Sequence, residues 1–172
     1  MSGRRSFLRF TAAAIGAWAV LTVCPPRPAP AADDGRRLVR VVRIVDGDTV
    51  VVAEGSRTLR VRLLGVDTPE LARDGRRAER FAEEAARFTR EALRGAWRVE
   101  LEVAGDRIDD YGRILGFLWL QPRPPARTFN LSEELLRQGL GRAFHRYRYP
   151  GRARFLGLEA EARRSRRGLW RR

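Results

Sequence analysis

The chain has 172 residues, enough for one domain of ordinary size. Its 35 basic residues are all arginine and face 21 acidic ones, a formal charge of +14 in a chain that is 44% hydrophobic, so a globular protein with an anionic partner is expected. The lack of lysine excludes Schiff-base chemistry and a Walker-type phosphate lysine, and a single cysteine, Cys24, with a single histidine, His145, excludes Cys/His zinc sites and intramolecular disulfides.

Residues 1–31 read as an export signal. Arg4 and Arg5 precede an apolar run from Phe10 to Val23, and Ala29-Pro30-Ala31 has the A-x-A form of a cleavage site. The run is shorter than the ~20 residues of a comfortable membrane span. Gly3-Arg4-Arg5-Ser6-Phe7-Leu8-Arg9 also resembles a twin-arginine signal, whose cargo crosses the membrane folded. Residues 32–37 are then a short linker, and 38–172 the folded domain. Arg4, Arg5, Arg9 and Arg27 are the only charged residues of the leader, so +14 less these four leaves +10 on the remainder. Such a surface suits phosphate polymers through counterion release, although anionic lipid is an alternative.

Two β-rich runs, Leu38 to Ile44 and Thr49 to Ala53, are joined through Asp46-Gly47, where glycine is expected to accept the positive φ of a hairpin turn. In a third strand, Leu59, Val61 and Leu63 alternate with Thr58, Arg60 and Arg62, which sends one face to the core and presents guanidinium groups on the other. The stretch Ala78 to Arg94 has helical spacing, with Phe81, Ala85, Phe88 and Ala92 on one stripe and Gly95 as its stop. Runs from Trp97 to Val103 and from Ile114 to Leu120 make five strands and flank a polar loop that ends in Asp109-Asp110-Tyr111-Gly112-Arg113. Asn130 and Glu133 form an N-cap and capping-box pattern opening a second helix to about Gln138, and a third covers Arg154 to Arg163. The arginine-rich ending from Arg163 reads as a solvated tail, and Trp97, Trp119 and Trp170 as core or core-edge residues. This order of elements suggests an α+β fold built on a small barrel, the five-strand OB fold being one candidate. Closure of that barrel is not carried by the pattern.

Three separate segments each deliver polar residues where a strand ends: Asp46 to Thr49, Arg62 to Glu70, and Asp109 to Arg113. Asp48 and Asp67 offer hard carboxylate oxygens suited to calcium or a similar cation. Pro69 holds Thr68 extended and brings no N–H, so the Thr68 carbonyl is free to be a third ligand, with water completing the set. Arg62 and Arg113 are forks able to grip one phosphate, and Glu70 is placed to take a proton from an attacking water. Each piece alone has a bland reading: aspartates at turns, a glutamate at a helix start, arginines on an arginine-rich surface. Their joint occurrence favours a site.

Asp46-Gly47-Asp48-Thr49, Arg62-Leu63-Leu64-Gly65-Val66-Asp67-Thr68-Pro69-Glu70 and Asp110-Tyr111-Gly112-Arg113, in that order, resemble the successive signatures of the staphylococcal nuclease (thermonuclease) family over about residues 38–170. The resemblance implies an α+β fold, a five-stranded OB-type barrel with three helices, and calcium-dependent hydrolysis of DNA and RNA at the 5′ oxygen to leave 3′-phosphate ends. It implies Asp48, Asp67 and the Thr68 carbonyl as Ca2+ ligands and Glu70 as general base. Arg62 and Arg113 match the two catalytic arginines, and Tyr111 a phosphate contact. Asp110 stands where well-known members carry a lysine. The segment Phe144-His145-Arg146-Tyr147-Arg148-Tyr149 resembles the family's aromatic strip, with Tyr147 taken as a substrate contact. The resulting expectation is an exported monomeric nuclease, periplasmic or extracellular, acting on single-stranded or frayed nucleic acid. The rival readings are a non-catalytic nucleic-acid-binding OB module and an envelope protein held to anionic lipid.

Overall fold

Valines crowd the stretch from Val39 to Val52, and β-branched side chains fit a pleated, half-buried surface, so the chain begins in strands. The computed structural model describes residues 35–144 and 148–171, all within a unit spanning Asp33–Arg172. The export-signal reading of residues 1–31 and the expectations for His145 and Tyr147 lie outside the described residues. The strands are β1 (Arg36–Leu38), β2 (Arg40–Ile44), β3 (Thr49–Glu54), β4 (Arg57–Leu63), β5 (Val66–Asp67), β6 (Ala96–Ile108), β7 (Ile114–Pro122), β8 (Phe129–Asn130) and β9 (Arg142–Ala143). The helices are α1 (Ala82–Gly95), α2 (Leu131–Arg137) and α3 (Arg152–Arg164), followed by a 3-10 turn over Gly168–Trp170.

The sheet closes on itself. Its order runs β1-β6-β7-β4-β3-β2, every neighbouring pair antiparallel except β4 with β7. The two ends of that order, β1 and β2, are separated only by Val39, whose N–H donates to the Val99 carbonyl at 3.0 Å. Counting β1 and β2 as one bent strand, five strands enclose the core, as the OB-type expectation required. Val50, Val52, Val61, Leu63, Leu101, Leu115, Leu118 and Leu120 fill it with almost no exposure. Closure also removes sheet edges that would otherwise invite pairing with other chains.

Several elements differ from their sequence-based expectation. α1 begins at Ala82 rather than Ala78, because Phe81 has φ 72°, a left-handed conformation that interrupts a helix. Its buried face is Ala82, Ala85, Ala86, Thr89 and Leu93, with Phe88 and Ala92 at the margin. Gly47 is absent from the positive-φ residues. Glycine is needed there for space: a Cβ would lie 2.7 Å from Thr68 Oγ1 and 2.8 Å from Ala85 Cβ. The Thr89 hydroxyl donates to the Gly47 carbonyl at 2.6 Å, so α1 clamps the Asp46–Asp48 turn from behind.

Asn130 caps α2 as its position suggested, its Oδ1 accepting the N–H groups of Ser132 at 2.9 Å and Glu133 at 3.3 Å. Glu133 turns instead to Arg154 and Arg137, tying α2 to α3. The arginine-rich ending is seated rather than free. Leu169 N–H donates to the Gly139 carbonyl at 2.8 Å, and Gly139 and Gly168 meet backbone to backbone where a Cβ on either would collide. Trp119 lies at the core edge, its Nε1 donating to Glu102 at 2.6 Å with Arg36 over its ring. Trp97 is 62% exposed and is not a core residue, because it leaves the barrel at the very start of β6. Among the described residues no helix is long and apolar enough to cross a membrane.

Candidate active site

The hairpin between β2 and β3 carries Asp46, Gly47 and Asp48 to one end of the barrel, where β4 also ends. Leu63 N–H donates to the Asp48 carbonyl at 2.8 Å, so the turn is fastened to β4 by backbone. The Asp48 carboxylate is buried. Its Oδ2 accepts the Thr68 N–H at 2.7 Å and lies 2.7 Å from Arg62 Nη1, and its Oδ1 accepts the Thr49 hydroxyl at 3.2 Å. Arg62 comes from the polar side of β4, as alternation predicted, yet it is only 6% exposed. Its Nη2 donates to Asp67 Oδ1 at 2.6 Å and its Nη1 to the carbonyls of Val66 at 2.9 Å and Leu63 at 3.3 Å. One guanidinium therefore draws together carboxylates 19 positions apart in the chain, from Asp48 to Asp67. Both of its terminal nitrogens are engaged in doing so.

Asp46, read from sequence only as a turn residue, belongs to the same cluster. It is buried, its Oδ1 accepts the Asp48 N–H at 3.2 Å, and its Oδ2 lies 3.6 Å from Arg73. Negative charge is thus in excess around Arg62. Burial pushes the Asp48 carboxyl up to about 7; Arg62 opposes this, Asp46 reinforces it, and the Thr68 N–H opposes it. Oxygen donors with surplus negative charge are the chemistry of a hard divalent cation site. Thr68 Oγ1, buried and without a hydrogen-bond partner among the described residues, adds an unsatisfied oxygen beside it. No group of three or more His, Cys, Asp or Glu side chains is set to hold a metal among the described residues. A cation here would rely on Asp48, Asp67, the Thr68 carbonyl and water.

A pH prediction follows with a definite sign. Asp48 has its ordinary value, 3.8, when unfolded and about 7 when folded, so the folded state binds the extra proton between these limits. The stability linked to Asp48 is complete below the lower value and is lost as pH rises through the upper one. In chelator, the melting temperature of Asp48→Asn should fall less over this window than that of the parent. A divalent cation held by these carboxylates would then raise the parent's melting temperature more at about pH 8 than at about pH 5. Parallel pH profiles for parent and variant would exclude the coupling.

Glu70, Tyr111 and Arg113 line a neighbouring cleft of about 660 Å3 together with Arg60, Arg73, Arg76 and Arg77. Arg113 immediately precedes β7, whose Ile114 pairs with Val61 of β4, so Arg113 stands at the entry to the strand next to the one that carries Arg62. Asp109 aims Arg113: its Oδ1 accepts the N–H groups of Tyr111 at 3.0 Å and Arg113 at 2.9 Å, and its Oδ2 accepts Arg113 Nε at 2.7 Å. Burial disfavours the Asp109 charge, but these bonds and the guanidinium outweigh it and hold the carboxyl below its usual range. Among the described residues only Nε of the Arg113 side chain has a hydrogen-bond partner, which leaves its terminal nitrogens for a ligand. Tyr111 is 79% exposed, with Arg113 5.1 Å from its ring centre.

The Glu70 carboxyl is pushed upward, first by partial burial and then by Asp46; Arg73 and Arg62 oppose this and Asp67 adds to it. A raised carboxyl is closer to the working pH expected of a general base. Its backbone is pinned across the loop, with Glu70 N–H on Glu79 Oε2 at 3.1 Å and Glu79 N–H on the Glu70 carbonyl at 3.0 Å.

The sequence-derived residues thus form two adjoining groups. Asp48, Arg62, Asp67 and Thr68 are bonded to one another; Glu70, Tyr111 and Arg113 share the cleft beside them. The aromatic segment is not a free strip among its described residues: Tyr149 is buried against Phe117 and Phe155 with its hydroxyl on the Phe144 carbonyl, and Phe144 lies 5.4 Å from the Arg62 guanidinium. Asp110 is exposed next to Tyr111. Sequence reasoning gave no role to Asp109 or Arg73, and saw Asp46 only as part of a turn. The signal for Asp109 was its four-residue offset from Arg113 across a Gly-containing turn; for Arg73 there was none.

A family model described as staphylococcal nuclease homologue matches residues 60–172. The chain is 31% identical to a thermonuclease of Staphylococcus hyicus over 85% of this chain and 83% of that one. It is 39% identical to Protein ParB of Escherichia coli over 97% and 86% of the two chains, and 33% identical to a micrococcal nuclease of Shigella flexneri over 76% and 71%.

Proposed function

This chain belongs to the staphylococcal nuclease family, and from that premise we propose that it is an exported, calcium-dependent nuclease that hydrolyses phosphodiester bonds of DNA and RNA, leaving 3′-phosphate ends. The observation that carries the reading is the Asp48–Arg62–Asp67 bridge beside a cleft that holds Glu70 and Arg113. Asp48, Asp67 and the Thr68 carbonyl would hold the calcium ion. When bound, the ion supplies positive charge against the negative charge that gathers on the phosphate oxygens.

The chain's own residues do the rest. Arg62 keeps the two carboxylates in register on a rigid strand end. Arg113, aimed by Asp109, offers its terminal nitrogens to the phosphate, where a fork binds two oxygens at once. Loss of one such donor commonly costs about 10²- to 10³-fold in rate. Glu70 takes a proton from the attacking water, and Tyr111 flanks the phosphate. Export agrees with the metal: extracellular calcium modules bind with dissociation constants of about 10⁻⁴ to 10⁻³ M, so a site with few protein ligands fills outside the cytoplasm and stays empty within it.

The test is incubation of the mature protein with single-stranded DNA, with calcium or with a chelator, and identification of the new chain ends. Calcium-dependent cutting with 3′-phosphate ends is expected. Binding without cutting would identify a non-catalytic OB module, and 5′-phosphate ends would overturn the assigned bond.

A further inference from the structure

Beyond the catalytic groups, the cleft holds arginines whose guanidiniums have no partner among the described residues. Its lining holds five arginines, Arg60, Arg73, Arg76, Arg77 and Arg113, against three acids, Glu70, Asp74 and Glu79. Arg113 is committed in part to Asp109, and Arg73 faces Asp46 at 3.6 Å. Arg60, Arg76 and Arg77 are exposed, and none of their guanidiniums has an ion-pair or hydrogen-bond partner among the described residues. Asp74 and Glu79 line the same cleft without pairing to them; Glu79 is turned to the Glu70 backbone. Guanidinium groups left without a partner on the wall of a cleft have donors to offer an anion there.

The backbone holds these arginines in place rather than trailing them in solvent. Arg73 and Arg76 exchange both N–H···O=C bonds, at 3.2 and 2.9 Å, across Asp74-Gly75, where φ is 51° and 80°. That is a two-residue hairpin with both central residues left-handed, the kind Asp-Gly favours. The neck of the loop is closed by the paired bonds between Glu70 and Glu79, and Arg73 anchors its side to Asp46. Arg60, on β4, lines the same cleft.

We propose that Arg60, Arg76 and Arg77 form a second phosphate station, which holds a backbone phosphate of the same strand away from the one at Arg113. It rests on the reading that this cleft takes nucleic acid. Its consequence is a dependence on strand length: an oligonucleotide reaches both stations, whereas a dinucleotide reaches only the one beside Glu70.

The experiment is fluorescence anisotropy of a labelled single-stranded oligodeoxynucleotide of about 12 nucleotides, within the span of one OB fold, titrated with the full chain in chelator over a range of salt. Each phosphate contact contributes about 0.7 to the slope of log affinity against log salt for single strands. Arg76→Gln/Arg77→Gln removes the one phosphate contact of the station and should lower that slope by about 0.7, while Arg76→Lys/Arg77→Lys keeps it. Affinity for a labelled dinucleotide should be unchanged in both. Arg164→Gln, an exposed arginine of α3 outside the cleft, should leave the slope alone. A double glutamine variant with the parental slope would overturn the station, as would an equal loss per residue from Arg164→Gln. A parent that shows the arginine-dependent slope but never cuts with calcium would keep the station and remove the nuclease reading. A parent that cuts, with a slope indifferent to Arg76 and Arg77, would do the reverse.

Discussion

Replacing Arg62 with leucine should cost stability and activity together. The side chain is buried and satisfies Asp48, Asp67 and two backbone carbonyls, so its loss leaves Asp48 as a buried charge with Asp46 beside it. Breaking a buried pair from one side typically costs about 3–5 kcal/mol, which for a domain of this size is on the order of 10 °C in melting temperature. The loss should be smaller in acid, because protonation of Asp48 removes the charge Arg62 serves, and largest above the value of about 7 to which that carboxyl is already raised. Turnover should fall by more than about 10²-fold even at temperatures where the variant remains folded, because the two proposed metal carboxylates lose their common anchor. Thermal unfolding by circular dichroism across pH is the measurement. A variant with the parental melting temperature at every pH would show that the bridge is not what holds the two segments together.

Glu70→Gln should separate chemistry from folding. The side chain is exposed and makes no side-chain hydrogen bond among the described residues; only its backbone is pinned, and glutamine keeps that. Stability should stay within about 0.5 kcal/mol. Turnover should drop by about 10²- to 10⁴-fold, the usual worth of a positioned base, with oligonucleotide affinity in chelator little changed. If kcat is retained, Glu70 has no part in proton transfer. If kcat falls and affinity falls in proportion, its role is binding rather than chemistry.

Much of both arrangements was legible along the chain. Alternation in Thr58–Leu63 put Arg62 on the face opposite Val61 and Leu63, and the structure keeps it there. Asn130 announced the start of α2. The three polar segments were recognisable because each lies where a strand ends. Other features were not local. Gly47 looked like a turn glycine, yet its reason is the approach of Thr68 and Ala85, residues 21 and 38 positions away in sequence. Arg62 and Arg113 read as two free forks; in the fold one is occupied by two carboxylates and the other is aimed by Asp109. The arginine-rich ending read as solvated because its charge is obvious, while the glycine-to-glycine contact that seats it leaves no mark in composition.

What the residues determined unaided is chemical type: a chain without lysine and with one thiol and one imidazole, closed to Schiff-base and Cys/His zinc chemistry, basic enough to seek phosphate, and patterned for short strands and three helices. These are sums and short periods, readable over a few positions. Tertiary structure decided that β1 and β2 close the barrel and that Asp48, with Asp46 beside it, meets Asp67 on one guanidinium. It also decided that burial lifts Asp48 to about 7. Each of these depends on the distance between groups far apart in the chain and on the water excluded between them, and neither exists until the barrel has closed.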